Sequence, residues 1–342
     1  MAAAVKADGY GHGLVRVARA LNDADAFAVA AVEEAQALRR AGIQQRILLL
    51  EGVFEAAELP RCARHHLNIA IHHPEQVRML ELSRLEAPLR VWLKIDTGMH
   101  RLGLEPDAAP AIFRRLMDCP AVAPAIGLMS HLARADERDC AATGEQVRVF
   151  EQVVAALPGP RSLANSAGIL GWPDTHFDWV RPGIMLYGAS PFVDSLAADE
   201  DLRPVMTLQT RLISIKRLRR GDPVGYGGTW TCPEDMDVGV AAVGYGDGYP
   251  RHAPSGTPLL VNGREAALIG RVSMDMITVD LRQHPEAKIG DPVVLWGEGL
   301  PVERIARAAD TISYTLMCGI TPRVKVEVVE PADASAGDPL HE

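Results

Sequence analysis

The sequence predicts an α/β fold in which a parallel, barrel-forming array of βα units is followed by a second, mainly β domain. Short apolar runs recur at 2–5, 27–32, 47–50, 67–71, 90–95, 125–130, 162–164 and 179–187. Stretches with helical periodicity separate most of them, at 15–21, 32–40, 74–85, 108–117 and 146–157. The texture then changes near 190–204, and beyond it helices become scarce. Strand and helix alternating at this spacing make βαβ units and a parallel sheet. Eight such strands before a change of texture argue for a closed (β/α)8 TIM-like barrel. Periodicity cannot show closure, so a doubly wound open sheet remains the alternative.

Taken in order, the first run ends on Lys6. Asp8-Gly9 and Gly11-His12-Gly13 then form a glycine-rich turn before the first helical pattern. A lysine at the C-terminal end of a buried strand sits where α/β barrels keep their active sites. Desolvated lysines there suit Schiff-base chemistry. On spacing alone, a solvated lysine that ends a strand is the plainer reading. After the eighth run, Ala189-Ser190-Pro191 and the acidic residues Asp194, Asp199, Glu200 and Asp201 read as a linker. They divide a barrel domain, 1–200, from a second domain, 201–342. In the second domain, strands are expected at 205–218, 238–243, 258–261, 276–281 and 292–296. Gly221-Asp222, Asn262-Gly263 and Gly290-Asp291 supply turns between several of them. A short helix at 302–309 precedes a last strand at 323–329.

The bulk numbers exclude several classes. A chain of 342 residues carries a prior of about two domains. Apolar residues at 48% and charged residues at 23% are ordinary for a soluble globular protein. The net charge of −9 is spread without long single-sign blocks, which argues against nucleic acid as a partner. No apolar run approaches the ~18 residues of a membrane span. Five scattered cysteines, Cys62, Cys119, Cys140, Cys232 and Cys318, form no C-x-x-C pair. That pattern argues for a reducing, cytoplasmic setting and against a disulfide framework or a metal site.

The motifs are more specific. Val5-Lys6-Ala7-Asp8 with Tyr10-Gly11-His12-Gly13 resembles the pyridoxal-phosphate lysine motif of alanine racemases. The resemblance continues at Lys94-Ile95-Asp96-Thr97-Gly98-Met99, Arg101-Leu102-Gly103 and Ser130-His131. It runs on through Ala164-Asn165-Ser166, Arg181-Pro182-Gly183-Ile184, Tyr187-Gly188 and Gly225-Tyr226-Gly227. It ends with Gly244-Tyr245-Gly246-Asp247-Gly248-Tyr249, Ser273-Met274-Asp275 and Tyr314. One such match is weak; the ordered set is strong, and it favours the barrel over the open sheet.

What the resemblance implies is concrete. Lys6 matches the Schiff-base lysine of the cofactor, pyridoxal 5'-phosphate. Tyr10, Ser166, Gly183, Ile184 and Tyr314 match the phosphate site, where hydroxyls and backbone N–H groups suit a dianion. Arg181 matches an arginine facing the ring nitrogen, where most such enzymes place a carboxylate. Two cations do not cheaply share a hydrogen bond in a dry site, so that nitrogen stays unprotonated. The ring is then a weaker electron sink, which suppresses transamination. Racemisation of alanine needs bases on both faces of Cα, and Lys6 and Tyr226 match that pair. A tyrosine, with an ordinary pKa of about 10, needs nearby positive charge for this work. The His131–Arg181 pair is the expected source. Arg101 matches the arginine at the substrate carboxylate. Lys94 matches a lysine often carbamylated in the family, which would turn two adjacent cations into an ion pair.

Tyr226, Tyr245, Met274 and Asp275 match residues that reach the site of the other subunit, so a homodimer with shared sites is implied. A broad-specificity racemase, a decarboxylase of the same plan and a non-catalytic carrier of the cofactor are the competing readings. Arg181 speaks against the decarboxylases, and the second domain against the carrier. Family members usually carry a strand and a helix ahead of the lysine strand. The expectation is that Met1 is not the natural start. The first and last barrel strands would then lack a covering helix, and the chain as written would be poorly stable.

Overall fold

The structure, a computed structural model, describes residues 1–329. Seven parallel strands open the chain: β1 (Ala2–Ala4), β2 (Ala26–Val29), β3 (Arg46–Leu49), β4 (Leu67–Ile71), β5 (Arg90–Lys94), β6 (Gly127–Met129) and β7 (Arg161–Ser162). They pair in sequence order. The eighth expected strand, 179–187, is a strand only in part. Trp179 N–H donates to Arg161 O on one side at 3.0 Å, and Arg181 N–H to Ala164 O at 2.9 Å. On the other side Val180 O and Pro182 O accept from Ala2 and Ala4, both at 2.9 Å. Residues 179–182 thus bridge β7 to β1 and close the ring. Pro182 has no N–H for a regular ladder, and Ile184–Tyr187 winds into a 3-10 helix.

Covered on both faces, β2 and β4 are buried at every position, as parallel strands require. Phe27, Val29, Ile47, Leu49, Ile69 and Ile71 pack against the surrounding helices. The opposite face of the first two strands carries only Ala2, Ala4, Ala26 and Ala28. Their small side chains leave space inside the ring, and Ala4 and Ala28 floor a cavity there. The helix Val32–Arg40 has the expected bounds, with acidic residues in its first turn and arginines in its last.

In the second domain β8 (Leu208–Leu218), β11 (Met236–Ala241), β12 (Pro258–Val261), β13 (Arg264–Ile269), β14 (Ile277–Asp280) and β15 (Pro292–Trp296) form a closed antiparallel barrel. A small ribbon, β9 (Pro223–Val224) with β10 (Trp230–Thr231), stands apart from it. Asn262-Gly263 turns β12 into β13, pairing Val261 with Arg264. β13, reading Arg-Glu-Ala-Ala-Leu-Ile, was not expected, because its early residues have low strand propensity. The strand expected at 323–329 does not form. Its alternating valines suit a strand, but Val326, Val328 and Val329 are exposed. Among the described residues no neighbouring ladder takes its backbone.

Gly127 on β6 tests the packing inside the ring. A Cβ there would lie 2.4 Å from the Trp92 ring, and Trp92 is held edge-on by Trp179 at 6.1 Å. Gly127→Ala is expected to cost about 1–3 kcal/mol. The loss would be read as a lower urea midpoint with an unchanged slope. An unchanged midpoint would show that Trp92 yields freely.

Candidate active site

A cavity of about 1140 Å³ opens at the C-terminal ends of the parallel strands, where the barrel meets the second domain. Ten of the residues singled out from sequence line it: Lys6, Tyr10, Lys94, Arg101, His131, Ser166, Arg181, Gly183, Ile184 and Tyr314. Lys6 opens a left-handed helical turn directly after β1. Ala7, Asp8, Gly9 and Tyr10 all have φ between 52° and 61°. Three of these are not glycine, and each costs roughly 1–2 kcal/mol in this conformation. Local bonds offset that strain: Gly9 N–H to Val5 O, Gly13 N–H to Asp8 O and Leu14 N–H to Asp8 Oδ1, each 2.8 Å.

The turn brings Tyr10 over the barrel's last segment. Its ring stacks on Tyr187 at 4.6 Å, and Tyr187 Oη donates to Ala4 O at 2.8 Å. Tyr314, from the helix Ser313–Cys318, lies 5.8 Å from Tyr10 between ring centroids. Burial pushes the Tyr10 phenol up to about 12, and raises Tyr314 as well. Both therefore keep their protons and act as donors. Ser166 Oγ accepts from Gly183 N–H at 2.8 Å and Met185 N–H at 3.4 Å, leaving its own proton free to donate. A Cβ at Gly183 would stand 2.7 Å from the Tyr10 hydroxyl, filling the space these donors surround. The result is a small cradle of neutral donors, which fits a phosphate.

Arg181 lies behind the cradle, 5% exposed. It donates to Ser130 O at 2.5 Å, Leu163 O at 3.2 Å and Ser162 Oγ, and none of its partners is a carboxylate. Burial brings it down to about 10, so it remains a cation at neutral pH. Its Nη2 also points at His131 Nδ1, 3.5 Å away. Burial, then Arg181, Lys94, Arg101 and Lys6, holds His131 well below its ordinary value. The imidazole is thus neutral. A guanidinium only donates, so Nδ1 accepts and Nε2 carries the proton. Arg181 thus carries the positive charge of that pair, with His131 as its neutral partner.

Lys94 ends β5, 7% exposed, and is brought down to about 8. Burial is the main cause, followed by Arg181 and Arg101; Glu51 opposes them. Glu51 and Cys318 were not singled out from sequence, yet both line the cavity. Cys318 lies one helical turn beyond Tyr314, a spacing that could have revealed it. Gln146 was also missed. Its amide binds Thr97 Oγ1, His131 O and Ala133 N–H, tying the loops that carry Arg101 and His131.

The remaining expected residues stand elsewhere. Tyr226 lies in the turn Tyr226–Gly228 between β9 and β10, 67% exposed. Tyr245 and Met274 are also exposed on the second domain. Asp275 pairs with Arg323 at 2.8 Å. None of the four lines the cavity of its own chain.

The family models for the alanine racemase N-terminal domain and the alanine racemase C-terminal domain match residues 1–191 and 205–328. An alanine racemase of Nitrosococcus oceani is 58% identical over 323 residues, covering 94% of this chain and 90% of the relative. A biosynthetic alanine racemase of Escherichia coli is 53% identical over 331 residues, covering 96% and 92%. The crystal structure of the biosynthetic alanine racemase from Pseudomonas aeruginosa superimposes with a TM-score of 0.92 at 49% identity. That match covers 94% of this chain and 90% of the other.

The crowding around Lys94 makes stability depend on pH. Below its folded value of about 8, both folded and unfolded chains hold the proton, and the fold bears the full cost of the buried cation. Between there and 10.5 the unfolded chain binds more protons, so stability rises with pH. In carbon-dioxide-free buffer, Lys94→Met is expected to stabilise the cofactor-free protein at pH 7 by on the order of 1–3 kcal/mol. The gain should shrink as pH climbs through that window. Urea unfolding of both chains across the range measures it, and a pH-independent difference would contradict it.

Proposed function

The chain belongs to the alanine racemase family, isomerases of the pyridoxal-phosphate class, and from that premise we propose that it interconverts L- and D-alanine with Lys6 and Tyr226 as its two bases. The observation that carries the reading is Arg181, a buried cation lining the Lys6 cavity with no carboxylate partner. Pyridoxal phosphate would be held at its phosphate by Tyr10, Ser166, Tyr314 and the backbone of Gly183 and Ile184. When bound, it supplies an aldehyde that joins the amino acid's nitrogen and makes the Cα proton acidic. Arg181 would face the ring nitrogen. Having donors only, it leaves that nitrogen unprotonated and limits the charge the ring accepts.

The protein's own work is proton handling. The Lys6 amine holds or gives a proton on one face of Cα. The Tyr226 oxygen, from a second copy of the chain, does so on the other. That division fits Tyr226, Tyr245, Met274 and Asp275 standing outside their own cavity. The His131 Nε2–H, polarised by Arg181, offers the Tyr226 phenol oxygen a hydrogen bond that stabilises the phenolate formed when it gives up its proton. Arg101 would bind the substrate carboxylate. The five free cysteines suit a reducing compartment, so we place the enzyme in the cytoplasm. No helix among the described residues is long and apolar enough to cross a membrane.

Near neutral pH Lys94 has an appreciable unprotonated fraction. Its amine can add to carbon dioxide, releasing a proton and leaving a carbamate anion among three cations. The product relieves the repulsion that lowers Lys94 and can hold Arg101. With labelled bicarbonate, a carbamate carbon resonance is expected in wild type and absent from Lys94→Gln. Its absence from both would refute the modification.

The central experiment follows D-alanine formation from L-alanine by purified protein. Lys6→Ala should lose both activity and the visible absorbance of bound cofactor. Tyr226→Phe should keep that absorbance while slowing turnover at least tenfold, about 1.4 kcal/mol of barrier. Mixing the two variants should restore part of the activity, because each mixed dimer has one intact site. No recovery after verified subunit exchange would refute shared sites.

A further inference from the structure

Lys6 stands at the head of a left-handed turn whose own bonds leave one early amide, that of Ala7, without a partner inside the turn. The N–H of Ala7, the next residue, donates outside the turn, to Glu34 Oε1 at 2.7 Å. Glu34 belongs to the following βα unit, on the first turn of the helix Val32–Arg40. Its other oxygen, Oε2, accepts from Ala30 N–H at 2.9 Å and Ala31 N–H at 3.2 Å. One carboxylate therefore takes three backbone N–H groups. It ties the start of the lysine turn to the end of β2, which already accepts Val5 N–H at Ala28 O, 3.0 Å away.

A helix cap accounts for only part of this. An acidic residue at the third helical position commonly reaches back to the amides before the helix. Glu58 does that and no more: its Oε2 accepts from Phe54 N–H at 2.7 Å and Glu55 N–H at 3.3 Å, within its own loop. Glu34 makes the same return and adds the bond to Ala7. Ala7 has φ 52° and no glycine's tolerance for it. Once released, it would relax toward the right-handed region, and the direction of the Lys6 side chain just before it would change.

We propose that Glu34 is a positioning residue for Lys6, holding the Ala7 amide so that the lysine amine is aimed into the cavity. This rests on Lys6 being the residue that joins the cofactor's aldehyde. Both Glu34 oxygens accept, whereas a glutamine amide offers one acceptor and one NH2 donor. In Glu34→Gln a donor must face either Ala7 or the Ala30–Ala31 pair.

Three measurements on cofactor-free protein test it. The visible absorbance that grows on adding pyridoxal phosphate reports the rate at which Lys6 joins the aldehyde. Calorimetry with pyridoxine phosphate, which has the phosphate but no aldehyde, reports whether the cavity is intact. The thermal midpoint reports general loss of stability. Glu34→Gln is expected to slow the absorbance change about tenfold or more while pyridoxine phosphate affinity stays within threefold. Glu58→Gln, lowering the thermal midpoint comparably, is expected to leave the rate at wild type. A Glu34→Gln rate within threefold of wild type would overturn the proposal. So would a slowing matched by Glu58→Gln, or by an equal loss of pyridoxine phosphate affinity. Absence of the band in wild type would instead refute the reading of Lys6 itself.

Discussion

The constraint on which the site depends is like-charge repulsion in a poorly solvated space. Around Lys94, three cations (Lys6, Arg101 and Arg181) act against a single opposing carboxylate, Glu51. Such a cluster tolerates itself only by giving up charge or gaining anions. The chain shows the first response in the depressed values of Lys94 and His131. The second is latent in the chemistry proposed for it. A cofactor phosphate, a substrate carboxylate and a carbamate on Lys94 would each bring negative charge into one region. Burial first, and then the same repulsion, keeps the histidine neutral.

Closure of the barrel and construction of the site are also one event. Residues 179–182 bridge β7 to β1, and the same stretch places Arg181 behind the cavity and Gly183 in the donor cradle. A regular eighth strand would satisfy the ladder better. It would also turn successive side chains in and out and leave no backbone N–H free of the sheet. Pro182 and the 3-10 helix after it break that regularity, so Gly183 and Met185 can give their N–H groups to Ser166. The fold accepts a weaker seam to obtain a site with the right donors.

Much of this was legible in the sequence because it is periodic or local. The helix Val32–Arg40 and the strands Pro258–Val261 and Pro292–Trp296 have the bounds their patterns imply. What escaped was set by partners distant in the chain. The run 323–329 alternates like a strand but has no ladder to join, whereas β13 has poor propensity and two neighbours. The turn after Lys6 looked like a glycine-rich loop. Gly9 and Gly11 could announce its left-handed conformation, whereas Ala7 and Tyr10 do not. The cavity's ionisable and phosphate-donor side chains, Lys6, Tyr10, Lys94, Arg101, His131, Ser166, Arg181 and Tyr314, lie in ordered motif words. Gln146 and Glu34 do not, and their bonds cross from one βα unit to another.

The exposed residues pose a different physical problem. Tyr226 sits on a ribbon of two two-residue strands, a structure too small to be stable alone. A local cluster of Val224, Cys232, Met236, Val238 and Ile269 anchors it to the second barrel. Met274 and Tyr245 are held otherwise. Arg323 bonds Asp247 and Asp275, both at 2.8 Å, and donates to Met274 O at 3.3 Å, clamping the two loops together. An exposed ion pair by itself adds little stability. Here one guanidinium joins three acceptors, so its effect is to restrict geometry rather than to strengthen the fold. Side chains meant only for solvent need no such restraint. In the shared-site dimer proposed above, residues entering a second copy's cavity would gain from it, because every rotamer frozen on association weakens binding.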